Sequence, residues 1–116
     1  MEHILVVDDD QAILRVISTA LKSEGYDVGT AMNGQEAMEE IERDRPSLVL
    51  LDMNMPVMNG WAFAGQMVES GYNIPIIVMT AATDAFRCAT EIGARGYLGK
   101  PFDIIELLEA VEQNKR

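Results

Sequence analysis

The residues best placed to do chemistry are carboxylates standing where solvated charge is not expected. Asp8-Asp9-Asp10 follows the apolar run Ile4-Leu5-Val6-Val7, and Asp52 follows Leu48-Val49-Leu50-Leu51. A third run, Ile76-Ile77-Val78-Met79, ends in Thr80, and Tyr97-Leu98-Gly99 leads into Lys100-Pro101. If Asp8, Asp9 and Asp52 share one cleft, their repulsion raises the pKa of at least one of them unless a cation compensates. Lys100 supplies one positive charge. The surplus that remains suits a hard divalent ion such as Mg²⁺, held by carboxylates, a backbone carbonyl and water. Such an ion would also neutralise an incoming phosphoryl group, so that a carboxylate can attack phosphorus and carry an aspartyl-phosphate. Phosphoryl transfer depends mostly on positioning and charge stabilisation, for which a metal, a lysine and a hydroxyl suffice.

These side chains need elements to bring them together. The three apolar runs are continuous rather than alternating, as in strands covered on both faces of a parallel sheet. Weaker strands are predicted at Asp27–Ala31 and 96–98. Between them, Ile13, Val16, Ile17, Ala20 and Leu21 form a buried helical stripe, with Asp10 as N-cap and Gly25 as stop. Ala85, Cys88, Ala89 and Ile92 repeat the spacing and are closed by Gly93. Ile104, Leu107, Leu108 and Val111 repeat it again, opened by the capping-box pair Asp103 and Glu106. Two less regular helices are predicted over 34–44 and 60–70. The result is an α/β chain of five βα units, one domain over residues 1–116, with helices on both faces of a parallel sheet. In such a sheet the ligand site lies beyond the carboxyl ends of the strands, where the strand order reverses.

Val7-Asp8-Asp9-Asp10, Leu51-Asp52-Met53-Asn54-Met55-Pro56 through Asn59-Gly60, Met79-Thr80-Ala81 and Tyr97-Leu98-Gly99-Lys100-Pro101-Phe102 resemble the motif set of response-regulator receiver domains of two-component phosphorelay signalling, the chemotaxis regulators among them. Each motif is weak alone. The four in order are specific, and they cover essentially the whole chain. The resemblance implies a doubly wound, flavodoxin-like sheet of order 2-1-3-4-5. It implies that Asp52 is the phosphoryl acceptor and that Asp8 and Asp9 hold Mg²⁺ together with Asp52 and the backbone carbonyl of Asn54. Lys100 would contact the phosphoryl oxygens, with a cis bond to Pro101. Thr80 would bond a phosphoryl oxygen, and the position of Tyr97 would report that shift.

The partners implied are a histidine kinase or histidine phosphotransfer protein as donor, docking near Ile13, Leu14, Arg15 and the Pro101-Phe102 loop. The last two helices and the last strand would signal to a downstream protein target, with a weak or phosphorylation-dependent homodimer as a further contact. Such a domain is a signalling switch, not an enzyme; it catalyses only its own phosphorylation and dephosphorylation.

Charge bounds the alternatives. Nineteen Asp and Glu against nine Lys and Arg give a net charge of −10, which repels nucleic acid and anionic membrane surfaces. The apolar runs are too short to span a bilayer. Met1-Glu2-His3 does not open a signal peptide, so the cytoplasm is the expected compartment. The lone Cys88 forms no intrachain bridge and fits a buried stripe. His3, the only histidine, has no second histidine with which to form a catalytic pair or metal cluster. Met53, Met55 and Met58 read as core or loop packing; Trp61 stands near the start of its helix, and the sequence leaves open whether it is partly exposed near the site.

Val7-Asp8-Asp9-Asp10 also permits a haloacid-dehalogenase-type phosphatase with Asp8 as nucleophile. That reading lacks the acidic pair expected after Lys100 and leaves Asp52 without a role. A receiver fold that no longer takes phosphate is the binding-module alternative, but every key position is filled. Two departures from the receiver pattern stand out. The Thr80–Lys100 segment is short by roughly half a helical turn. Ala82, two past Thr80, offers no polar group to place a hydrolytic water, which implies slow self-dephosphorylation. The chain closes at Asn114-Lys115-Arg116 just past the last helix; a stand-alone receiver and one cut from a longer regulator would both look like this.

Overall fold

The computed structural model describes residues 2–55 and 57–115. Pro56, part of the motif after Asp52, lies outside the described residues, as do Met1 and Arg116. Five strands and five helices alternate: β1 (His3–Val7), α1 (Gln11–Ser23), β2 (Asp27–Ala31), α2 (Gly34–Arg43), β3 (Leu48–Asp52), α3 (Gly60–Glu69), β4 (Ile76–Ala81), α4 (Ala85–Ile92), β5 (Gly96–Lys100) and α5 (Ile104–Asn114). All strand pairs are parallel, and the sheet order is β2-β1-β3-β4-β5. This is the doubly wound order expected. β1 has β2 on one side and β3 on the other, so the order reverses there.

The continuous apolar runs are explained by cover on both faces. Leu5, Val7, Val49, Leu51 and Val78 pack against α2, α3 and α4 through Met38, Ile41, Phe63, Met67 and Cys88. Ile4, Val6, Leu50, Ile77 and Met79 face the other way, against Leu14, Ile17 and Leu21 of α1 and Leu107 and Val111 of α5. Residues i and i+1 therefore serve opposite cores. Each fully buried aliphatic side chain contributes about 1.5–3 kcal/mol, so a polar substitution anywhere from Leu48 to Leu51 would be opposed by one layer or the other.

Local signals start and stop the helices where the sequence places them. Asp10 caps α1, accepting from the N–H groups of Ala12 and Ile13, and Asp103 and Glu106 form a reciprocal capping box at α5. The strands run further than expected at their carboxyl ends: β3 takes in Asp52, β4 takes in Thr80, and β5 reaches Lys100. Ladder pairing carries these polar residues, because Thr80 pairs with Gly99 and Ala81 with Lys100. The short Thr80–Lys100 segment becomes a three-residue link and an α4 of only eight residues. Asp84 stands at the N-cap of that helix but makes no side-chain capping bond.

Candidate functional site

Register alone brings the chemistry to one edge. Val7 pairs with Leu51, so Asp8 and Asp52, the next residues along, emerge side by side. Asp52 pairs with Met79, which puts Thr80 one step beyond on the adjacent strand. Gly99 permits β5 to come close, since a Cβ there would lie 2.7 Å from both Cα and Cβ of Ala82. Lys100 follows it at the rim. The Lys100–Pro101 peptide bond is cis, as expected.

Asp8, Asp9 and Asp52 converge, with one carboxylate oxygen from each lying within 4.8 Å of the others. Asp8 is fully buried and Asp52 is 5% exposed, whereas Asp9 faces solvent. Lys100 Nζ donates to Asp8 Oδ2 at 2.8 Å and lies 3.7 Å from Asp52 Oδ1. Burial pushes the Asp52 carboxyl up to about 6, and the Asp8 charge adds to this. Lys100 and the backbone N–H of Asn54 oppose the rise, and Asp9 adds to it. Burial works to lower the Lys100 ammonium, but its hydrogen bond to Asp8 and the charges of Asp52 and Asp8 outweigh it and hold it above its ordinary value.

One ammonium thus faces three carboxylates, and its shortest contact goes to Asp8 rather than to Asp52. A hard divalent cation fits this all-oxygen donor set, and it would relieve a repulsion that Lys100 alone leaves standing.

Asn54 takes part in a way the sequence did not reveal. Its backbone N–H reaches Asp52 Oδ1 at 3.4 Å, and its side-chain Nδ2 donates to Thr80 Oγ1 at 3.3 Å. Thr80 itself is 2% exposed. Tyr97 lies outside the cleft, half exposed, and packs edge-on against Phe86 with ring centroids 5.8 Å apart. Trp61, left open by the sequence, is partly buried, and its indole N–H donates to Glu91 at 2.9 Å, tying α3 to α4.

The expectations for α1 and for His3 need correction, and the reading of Asp103 as a cap holds. Leu14 does not belong to the surface beside the site: it is 7% exposed and packs in the core with Ile17 and Leu21, whereas Val16, expected in the buried stripe, is 56% exposed because it points to the opposite side of α1. The groove that opens beside Lys100 is lined instead by Ile13, Val16, Phe102 and Ile104. His3 does join a cluster of metal-ligating type, with Asp27 and Asp44 rather than with a second histidine. Its partners are 24 and 41 positions away in sequence, so no local motif signals them. Asp103, the only acidic residue close after Lys100, is spent on the α5 capping box, which removes the acid a dehalogenase-type phosphatase would require there.

Known proteins resemble this chain in sequence and fold. The sporulation initiation phosphotransferase F of Bacillus subtilis is 39% identical over 114 residues, covering 97% of this chain and 92% of that protein. The response regulator MprA of Mycolicibacterium vanbaalenii is 40% identical over 108 residues, and there the chain spans only 47% of the relative's length. Among solved structures, the chemotaxis response regulator CheY4 of Vibrio cholerae superposes with a TM-score of 0.89 at 34% identity, covering 97% of this chain and 98% of that one. The profile of the response regulator receiver domain matches residues 4–112. A match running from Ile4 in β1 into α5 takes in all five strands and every side chain of the acidic cleft, and the chain belongs to the response regulator receiver domain family.

Proposed function

We propose that Asp52 accepts a phosphoryl group from a phosphohistidine donor, with Mg²⁺ held by Asp8, Asp9, Asp52 and the backbone carbonyl of Asn54. The observation that carries this reading is the unbalanced charge around Asp52: a buried carboxylate raised to about 6 beside two more carboxylates and a single lysine. Bound there, Mg²⁺ would offset the carboxylate charge and that of the incoming phosphoryl oxygens. In the transfer the donor's N–P bond breaks, its nitrogen keeps the electron pair, and an O–P bond forms to the Asp52 carboxylate. Lys100, already within 3.7 Å of Asp52, meets the phosphoryl oxygens with its ammonium. Thr80 turns its hydroxyl from Asn54 to a phosphoryl oxygen, and Tyr97 follows from its outward position on Phe86. The phosphate adds close to two charges and three acceptor oxygens, enough to bias a loop with two arrangements.

The donor is a histidine kinase or histidine phosphotransfer protein, seated on the groove of Ile13, Val16, Phe102 and Ile104 that opens beside Lys100. The α4–β5–α5 face carries the output to a downstream protein, through residues that include the exposed Phe86, Tyr97 and Ile105. A weak or phosphorylation-dependent homodimer would use the same face. The unit acts as a signalling switch rather than an enzyme on other substrates. With a net charge of −10 it does not itself bind nucleic acid. Among the described residues no helix is long and apolar enough to cross a membrane, and the cytoplasm is the compartment we assign.

Intact-protein mass after incubation with acetyl phosphate tests the reading. The expected result is a gain of about 80 Da, one phosphoryl group, that requires both Mg²⁺ and Asp52 and is absent in Asp52→Asn. No adduct, together with no response to the phosphoryl mimic beryllofluoride, would leave a binding module in place of a phosphoryl acceptor.

A further inference from the structure

The end of the sheet opposite Asp52 holds a second group of metal-ligating side chains. His3 opens β1 and Asp27 opens β2, and the two are register partners in the ladder, so both side chains project to the face that α2 covers. Asp44, the C-cap of α2, meets them from above. His3 Nδ1 lies 2.9 Å from Asp27 Oδ2, and Nε2 lies 3.7 Å from Asp44 Oδ2. Gly29 makes room for the ring: a Cβ there would stand 3.2 Å from His3 Cε1 and 3.5 Å from Glu40 Oε1. Nothing in the phosphoryl-transfer reading uses these residues.

Two features distinguish this group from an ordinary surface ion pair. Nδ1 is shut off from solvent and has no aligned hydrogen-bond partner, although Asp27 Oδ2 is close. A buried nitrogen left this way is normally satisfied by a proton donor, an acceptor or a metal. The surroundings are also cation-seeking. Arg43, the basic residue in the last turn of α2, is engaged by Glu40 at 2.6 Å. Among the described residues no lysine or arginine lies within ion-pair distance of Asp27 or Asp44, although Arg43 feels the charge of Asp44, and Asp44 stands at a helix C-terminus where the backbone carbonyls already favour positive charge.

We propose that His3, Asp27 and Asp44 form a second divalent-cation site, selective for Zn²⁺ or a similar late first-row ion over Mg²⁺. One imidazole nitrogen with two carboxylates is a borderline donor set, which Zn²⁺ takes readily and Mg²⁺ does not. The three ligand atoms lie within 4.8 Å of one another. Bonds of about 2.0–2.1 Å in a tetrahedron need roughly 3.4 Å between ligands, so the two carboxylates, which now lie against different ring nitrogens, have to swing to the same one. The fourth position is left for water. His3 and Asp8 sit at opposite ends of β1, about 17 Å apart at strand rise, so this site fills independently of the acidic cleft. An ion there would fasten the start of β1, the start of β2 and the end of α2 to one another.

The full chain is titrated with Zn²⁺ in buffer containing excess Mg²⁺, by calorimetry and by the imidazole NMR signal, which His3 alone contributes. One equivalent is expected to bind and to shift that signal to saturation. His3→Gln should weaken binding by at least about tenfold, the lower end of what losing even an outer-sphere partner does. Asp44→Asn, at an exposed cap, is a second variant should His3→Gln fold poorly, and it should weaken binding likewise. An imidazole signal that follows pH but ignores Zn²⁺ would reduce the group to an ion pair. Binding that survives both variants and disappears in Asp9→Asn would place the ion in the acidic cleft. Either result overturns the site.

Discussion

Asn54 Nδ2 donates to Thr80 Oγ1 across 3.3 Å, joining the loop after β3 to the end of β4, 26 residues on. Here the Thr80 hydroxyl oxygen accepts from Asn54, a bond that holds the side chain although the hydroxyl proton is left to donate elsewhere. A phosphoryl group on Asp52 therefore has to win Thr80 from Asn54 before the end of β4 can rearrange.

Removing that competitor should ease the switch. Asn54→Ala is expected to lower the beryllofluoride concentration needed for half-saturation by about fivefold, the equivalent of one neutral hydrogen bond of about 1 kcal/mol. Titration followed by NMR shifts of Thr80 and Tyr97 measures it. Unchanged saturation would show that the bond exerts no hold on Thr80.

The raised carboxyl at Asp52 makes a prediction about stability. Its folded-state value of about 6 exceeds the ordinary 3.8, so the folded state holds this proton more tightly than the unfolded chain does. The resulting destabilisation is absent below pH 3.8, grows as pH rises and is complete above about pH 6. Asp52→Asn should therefore be more stable than wild type at pH 7.5 in EDTA, by up to about 3 kcal/mol for a shift of about two units. The gap should close toward pH 4, and Mg²⁺ should narrow it at pH 7.5. Urea unfolding of both proteins at the two pH values decides; a gap independent of pH would contradict the burial argument.

Lys100 is the cation that Asp8 relies on. Lys100→Ala leaves a fully buried carboxylate without its 2.8 Å partner, at a cost of about 1–3 kcal/mol. The variant should also bind Mg²⁺ more tightly than wild type, because a competing positive charge is gone, and Mg²⁺ should restore most of the lost stability. Phosphorylation by acetyl phosphate should nevertheless slow sharply. Thermal unfolding with and without Mg²⁺ checks this; a loss that Mg²⁺ does not repair would make Lys100 a packing residue.

Ala82 sits at the rim of the cleft, exposed, with its backbone against Gly99. It has no group with which to orient a water toward the aspartyl-phosphate. Ala82→Glu should speed loss of phosphate by about tenfold or more, the low end of the effect of a positioned general base or below it. Phosphate release after removal of acetyl phosphate follows the rate, and a half-life equal to wild type would locate the limit elsewhere.

Most of the fold was legible along the chain because its signals are local. Apolar runs four residues long, caps such as Asp10 and Asp103, and stops such as Gly25 and Gly93 each act within a turn or two. The weaker elements were harder to bound. β5, written Gly-Tyr-Leu-Gly-Lys, carries little strand propensity and owes its length to pairing with β4, so its extension to Lys100 emerges only in the ladder.

The sequence by itself determined which side chains stand at the strand ends, and hence the proposed acceptor, its acidic neighbours, the lysine and the threonine. Tertiary structure decided how they pair. Lys100 bonds Asp8 more closely than Asp52, Asn54 holds Thr80, Trp61 reaches Glu91, and His3 falls between Asp27 and Asp44. Each of these contacts joins residues 24 or more positions apart, and Leu14 turned inward where a surface residue was expected. A strand-end position follows from periodicity, which one segment carries alone. The partner of a charge depends on the register of neighbouring strands and the seating of helices upon them, which no single segment contains.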